Sequence, residues 1–199
     1  MPEHIFMTGG TGLVGTHMIP RLLRAFPGST ITLLVRGDDD ANLASRVESI
    51  ARRVEREDGI PGAGERIRGL RGDVLLNRCG LSDGELDRLA GETTYIIHGA
   101  ATIRFDHPIE EAREVNCGGT RRILAIAERC ARRGTLKRFV YIGTSSVSGR
   151  REGVVTEEEL EMGQQFFNTY EQSKCESERI VRDHFDRFPA VIFRPSPSA

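Results

Sequence analysis

The run Tyr170-Glu171-Gln172-Ser173-Lys174 sets a phenol and an ammonium four residues apart, which is one face of a helix. The pair is unusual in this chain, which holds three tyrosines and, among 28 basic side chains, only two lysines, Lys137 and Lys174; roughly 0.03 such pairs would arise by accident. A cation beside a phenol favours the phenolate, so the spacing predicts a tyrosine pKa lowered toward the range useful for general acid/base catalysis. Lys174 could also hold a ribose. A hydroxyl able to share the reacting oxygen is offered by the segment Tyr141 to Gly149, which carries Thr144, Ser145, Ser146 and Ser148. The plainer alternatives are an exposed tyrosine with a surface lysine, and a turn whose hydroxyls bond only the backbone.

A second constellation lies near the N-terminus. Thr8-Gly9-Gly10-Thr11-Gly12-Leu13-Val14-Gly15 contains G-x-G-x-x-G at Gly10, Gly12 and Gly15, directly after a strand-like run. Glycines allow the tight turn, close approach of backbone to a pyrophosphate, and close packing of helix on strand, while the N–H groups of the helix start supply the anion site. About 20 residues further on, where NAD sites commonly place a carboxylate, the second strand ends in Val35-Arg36-Gly37. A guanidinium suits a ribose 2′-phosphate, so Arg36, assisted by Arg46, points to NADP(H); NAD(H), with Asp38, Asp39 or Asp40 on the ribose, is the alternative.

These residues need a frame. Ile5 to Met7, Ile31 to Val35, Ile67 to Leu70, Tyr95 to His98, Phe139 to Ile142 and Val191 to Phe193 are short apolar, β-branched runs that predict strands. Between them, Leu43, Val47, Ile50 and Val54 recur at helical spacing, as do Val115, Ile123, Ile126 and Cys130, with Gly134 as a stop. Six strands alternating with helices predict an α/β fold built on a doubly wound parallel sheet. Pro20 predicts a kink or early break in the first helix. The stretch from Ser148 to about Phe167, with Glu157, Glu158 and Glu159, reads as a long irregular loop of the kind that is usually functional or mobile.

Composition sets outer limits. The 199 residues suit one domain, and 28 basic against 29 acidic side chains argue against nucleic acid or an anionic membrane as an electrostatic partner. Cys79, Cys117, Cys130 and Cys175 show no metal-ligand or redox spacing and read as reduced, packed thiols. No signal peptide and no apolar run of membrane-spanning length is visible, so a cytoplasmic protein is expected.

Taken together, TGGTGLVG at Thr8 to Gly15, Gly72-Asp73-Val74, His98-Gly99-Ala100-Ala101, Asn116-Cys117-Gly118-Gly119-Thr120, the Thr144 segment, Tyr170 with Lys174, and Arg194-Pro195-Ser196 resemble the extended short-chain dehydrogenase/reductase family. Leu34-Val35-Arg36, Gly80-Leu81-Ser82, Arg104-Phe105 and Asn168 to Lys174 look like its thioester reductase or fatty acyl-CoA reductase (male-sterility-type) branch. The resemblance implies a Rossmann fold in which Gly9, Gly12 and Gly15 line the pyrophosphate, Asp73 with Val74 contacts the adenine, Gly99, Ala100 and Ala101 flank the cofactor, and Arg36 binds the 2′-phosphate. It puts the catalytic hydroxyl on Thr144, with Ser145 as fallback. His98 is implied as part of the cofactor turn and reads better as a packed histidine. Asn116 is a helix-positioning residue or a member of a proton relay.

The activity implied is hydride transfer from NADPH to a carbonyl, an acyl thioester of coenzyme A or a carrier protein, giving aldehyde or alcohol, with Thr144, Tyr170 and Lys174 as the catalytic trio. The competing expectations are an NAD-dependent sugar-nucleotide epimerase or dehydratase and a non-catalytic dinucleotide-binding protein. Members of the family continue beyond Arg-Pro-Ser into a smaller substrate-binding region, so residues 1–199 are expected to form the NAD(P)-binding domain without most of that region, alone or as an oligomer.

Overall fold

The computed structural model describes residues 2–196; Met1 and residues 197–199 lie outside it. Six parallel strands form one sheet: β1 (His4–Thr8), β2 (Thr30–Val35), β3 (Ile67–Arg71), β4 (Tyr95–His98), β5 (Arg138–Ile142) and β6 (Ala190–Phe193). Their spatial order is β3-β2-β1-β4-β5-β6, with Met7 opposite Leu33 on one side and Ile97 on the other. Helices fill the crossovers: α1 (Leu13–Ala25), α2 (Asp40–Arg56), the single turn α3 (Ala63–Arg66), α4 (Asp83–Glu92), α5 (Ile109–Arg113), α6 (Gly119–Arg132) and α7 (Thr169–Arg182).

Both faces of the sheet are covered, and the two-residue period of each strand sorts side chains between them. Ile5, Met7, Ile31, Leu33 and Ile97 pack with Ile19 and Leu23 of α1 and Ile50 and Val54 of α2. Phe6, Leu34, Ile96, Phe139 and Tyr141 pack on the other face with Leu86 and Leu89 of α4 and Ile123, Ile126 and Cys130 of α6. The expected doubly wound α/β architecture is therefore present, with all six strand runs in place. Gly134 ends the α6 region at φ +76°, a left-handed conformation that glycine adopts without a Cβ penalty.

Two local expectations need correction. Pro20 does not break α1, which runs through it to Ala25. The proline ring has no N–H for the carbonyl of Thr16, and the Arg53 guanidinium of α2 donates to that carbonyl at 2.6 Å instead, so the orphaned acceptor is satisfied from a neighbouring helix. Val115 does not share an α-helical stripe with Ile123: residues Glu114–Gly118 form a π-helical turn between α5 and α6, which shifts the phase ahead of Ile123.

Residues 149–168 contain neither helix nor strand, as expected, but they are tied down at several points. Arg182 donates to the carbonyls of Glu157 and Glu158, Arg194 to those of Thr156 and Glu159, and Gln164 to those of Val147 and Leu160. The two arginines are held in turn by Glu178, which is wholly buried. The four cysteines are buried free thiols, and burial pushes Cys79 up to about 12 and the other three to about 11. Among the described residues no helix is long and apolar enough to cross a membrane.

Candidate active site

In an open parallel sheet the strand order reverses at one point, and ligands bind outside the carboxyl ends of the strands there. The reversal lies between β1 and β4. The loop after β1 holds Gly9 to Gly12, the loop after β4 holds Gly99 to Ala101, and those after β2, β3 and β5 hold Arg36, Asp73 and Thr144.

The glycine loop is built for close backbone contact. Gly9 has φ +75°, and a Cβ there would lie 2.5 Å from the carbonyl carbon of Gly99. A Cβ on Gly15 would fall 2.2 Å from the carbonyl oxygen of Gly9, so α1 can pack onto the loop only through glycine. Gly10 faces the sheet, where Leu33 fills the space a Cβ would need. Asp39, Ser82 and Asn168 cap α2, α4 and α7 with their side chains, whereas α1 starts at Gly12 with no side-chain cap and no acidic residue in its first turn. Its first N–H groups are thus left for an anion, and Thr11, Gly12, Leu13 and Val14 around them are exposed. A dinucleotide pyrophosphate fits this donor set.

Around the cradle the predicted residues divide. Arg36 is exposed at the end of β2, and the Arg46 guanidinium donates to its carbonyl oxygen, so the two basic residues meet. Asp39 is occupied as the cap of α2 and Asp40 pairs with Arg71 at 3.8 Å. Asp73 is half-buried and accepts from the N–H of Leu75 at 3.0 Å through one carboxylate oxygen, while Val74 is buried against Gly119. The side chains of Thr8, His98 and Asn116 are buried.

His98 is 1% exposed and wholly engaged: Nδ1 meets the Thr8 hydroxyl at 2.7 Å and Nε2 the Thr120 hydroxyl at 3.0 Å. Burial lowers its pKa to about 3, helped by the nearby Lys174 charge, so the imidazole is neutral at physiological pH and does not take part as an acid. The Thr8 hydroxyl also accepts the N–H of Ala100 at 3.2 Å, which joins the β1 and β4 loops. The Asn116 amide is engaged within the chain: its Oδ1 accepts from Thr102 N at 2.9 Å, and its Nδ2 donates to Ser173 Oγ at 2.9 Å.

Tyr170 opens α7 just after the Asn168 cap, half-buried, with its ring 5.7 Å from that of Phe105. Thr144 is buried, and its hydroxyl lies on the Tyr170 side of the β5 loop, close enough to lower the phenol pKa. Ser145, by contrast, is fixed through its N–H to Pro195. The tyrosine pKa runs against expectation: burial raises it, and the neighbouring Thr144 hydroxyl only partly offsets that. The physical reason lies in the lysine. Lys174 is 3% exposed and donates to the phenol oxygen of Tyr141 at 2.7 Å and to the carbonyl of Ile142 at 2.8 Å, so its charge is directed under β5 rather than at Tyr170. Burial lowers Lys174 to about 7, despite the favourable charge of Glu178.

Several groups at the site escaped the sequence reading: Tyr141, Ser177, Glu178, Thr120 and the π turn. Ser177 and Glu178 were visible in one respect, since Tyr170, Ser173, Lys174, Ser177, Glu178 and Val181 form a single helical stripe that an ordinary core helix would fill with apolar residues. A groove of about 700 Å³ lined by Arg113, Cys117, Arg121, Glu176 and Arg179 takes in none of the predicted site residues.

The comparisons with known proteins agree with this fold. A family model described as "Male sterility protein", an NAD-binding domain, matches residues 7–197. Fatty acyl-CoA reductase wat of Drosophila melanogaster is 27% identical over 96% of this chain and 42% of its own length. The terminal R domain from the myxalamid PKS-NRPS biosynthetic pathway is 33% identical with a TM-score of 0.83, covering 98% of this chain and 49% of that one. The UDP-glucuronic acid 4-epimerase of Bacillus cereus in complex with NAD shares the fold, with a TM-score of 0.69 at 19% identity over 97% of this chain and 55% of its own. The chain thus spans less than half the length of the first two.

Proposed function

The chain belongs to the male sterility protein family of NAD-binding domains, and from that premise we propose that it is an NADPH-dependent reductase acting on an acyl thioester of coenzyme A or of a carrier protein. The observation that carries this reading is the buried Thr144 hydroxyl brought beside the Tyr170 phenol at the carboxyl edge of the sheet that bears the uncapped glycine loop. The surroundings of Tyr170 support an acyl substrate, since Ile103, Phe105 and Phe167 are exposed apolar side chains in the flanking segments.

Gly9, Gly12 and Gly15 would hold the pyrophosphate, Asp73 the adenosine and Arg36 with Arg46 the 2′-phosphate. A bound nicotinamide supplies the hydride that reaches the carbonyl carbon. Thr144 and Tyr170 hydrogen-bond the carbonyl oxygen, and the phenol proton neutralises it as negative charge develops there. The resulting hemithioacetal breaks its carbon–sulfur bond, giving aldehyde and thiol. Tyr170 serves best as an acid while it keeps its proton, which suits a phenol whose pKa is raised in the cofactor-free chain.

The thioester assay tests the proposal: NADPH should be consumed when acyl-CoA is added, with one thiol released per NADPH if the aldehyde is the product and one per two NADPH if it is reduced on to the alcohol. Thiol release without NADPH loss, or NAD retained through purification with no NADPH consumption, would sink it. Cofactor choice has its own test. Arg36→Ala should weaken NADPH about tenfold or more and leave NADH within about twofold, because only the 2′-phosphate pairs with the guanidinium. Equal losses for the two cofactors in a fluorescence titration would contradict the assignment of Arg36.

A further inference from the structure

Tyr141 is fully buried beneath the active site and takes no part in the reaction as described. Its phenol nevertheless sits in a directed set of hydrogen bonds. Lys174 Nζ donates to the Tyr141 oxygen at 2.7 Å, and Tyr141 donates to Ser177 Oγ at 2.8 Å. Ser177 donates to the carbonyl of Asn116 at 2.8 Å, where the Thr120 hydroxyl also donates at 2.6 Å. That carbonyl lies in the π turn Glu114–Gly118 and accepts both side-chain hydroxyls, which also lie 2.8 Å from one another.

The consequence concerns protons. A phenol has one O–H, and here Ser177 takes it. The lone pairs left on Tyr141 can then only accept, and the group positioned to donate to them is the Lys174 amine. We propose that Tyr141 is a positioning residue for the reductase, holding Lys174 as an ammonium at the end of β5 through a phenol whose own proton is committed to Ser177. The role rests on the reading of Lys174 as part of the reductase site, but the hydrogen bonds can be tested without any substrate.

The charge balance supports it. The titratable groups facing Lys174 are Glu178 on its own helix, Cys117 on the π turn, His98 on β4 and Tyr141 on β5, with Tyr170 one turn away on α7. Glu178 favours the ammonium, His98 is neutral, and burial pushes the thiol of Cys117 and the phenols of Tyr141 and Tyr170 upward, so all three keep their protons. A neutral acceptor at 2.7 Å therefore works with Glu178 against burial to keep Lys174 charged near neutral pH.

Two lysines in the whole chain make the test direct. Chemical shifts of side-chain-labelled lysine in the 199-residue chain should give one signal for Lys174 and one for Lys137, the latter paired with Glu3 at the surface and serving as internal reference. Tyr141→Phe keeps the ring in the core and removes only the oxygen. Lys174 should then titrate about one pH unit lower, a tenfold loss of proton affinity, while Lys137 stays unchanged. In NADPH-dependent thioester turnover the alkaline limb of kcat should move the same way, with KM for the thioester held within about twofold. Ser177→Ala provides a second variant should Tyr141→Phe fail to fold: a phenol with no other acceptor turns its proton to the amine and stabilises the neutral form, again lowering the titration. A Lys174 titration at the parent pH in whichever variant folds would overturn the proposal. A shifted titration in a protein that turns over no thioester would uphold it and refute the reductase reading instead.

Discussion

Tyr170→Phe should lower NADPH-dependent turnover by between about 10² and 10⁴ while leaving NADPH affinity within about twofold. In the proposed reaction the phenol hydroxyl donates the proton to the carbonyl oxygen, and it lies outside the glycine loop and the Arg36 region proposed for the cofactor phosphates. Phenylalanine keeps the ring against Phe105, whose centroid is 5.7 Å away, so the loop that carries Phe105 has no reason to move. The Thr144 hydroxyl still accepts the Ser146 N–H at 3.2 Å and would offer its own proton to the substrate oxygen, which is why residual activity is expected instead of none. Steady-state turnover with a cofactor titration on the same preparation checks both halves. Turnover within a factor of three of the parent would remove Tyr170 from the mechanism.

The second large effect concerns folding. Glu178→Ala should destabilise the chain by about 3–5 kcal/mol, lowering the melting temperature by roughly 6–20 °C. Glu178 is 0% exposed and accepts from Arg194 at 2.7 Å and from Arg182 at 2.9 Å. Removing the carboxylate leaves two guanidinium groups facing one another, and Arg194, whose side chain is 11% exposed, cannot swing into water without releasing the carbonyls of Thr156 and Glu159. The loss should therefore spread to residues 149–168 and to the packing of α7, which carries Tyr170 and Lys174. Glu178→Gln, which keeps the shape and one acceptor, should cost less. Thermal unfolding followed by circular dichroism measures it, and a melting temperature within about 2 °C of the parent for Glu178→Ala would show that the ion cluster is dispensable.

Arg194 also shows how reading a motif differs from reading a site. Arg194-Pro195-Ser196 was visible as a family element, yet nothing in its composition discloses that the guanidinium is a clamp between a buried carboxylate and a loop. Much else was legible. Strands show as short β-branched runs, and the glycine spacing after the first of them fixes where α1 begins, because backbone sterics admit no other residue at Gly9 or Gly15. Tyr170 and Lys174 were legible as a pair on one helix face. Their mutual electrostatics were not, since Lys174 reaches across 33 residues of sequence to Tyr141, a contact set by packing and side-chain rotamer. The π turn was hidden for a similar reason: a one-residue change in hydrogen-bond register has no compositional signature, and it surfaces only as the phase error between Val115 and Ile123. Pro20 misled because the rescue of Thr16 comes from Arg53, on another helix.

The central claim is that this chain moves a hydride from NADPH onto the carbonyl carbon of an acyl thioester. The most direct measurement supplies NADPH carrying deuterium at the transferring position of the nicotinamide together with acyl-CoA, and follows the label by mass spectrometry. The account predicts deuterium at C1 of the released aldehyde or alcohol, in proportion to the thiol formed. Free thiol and free acid with the label still on the nicotinamide would contradict it.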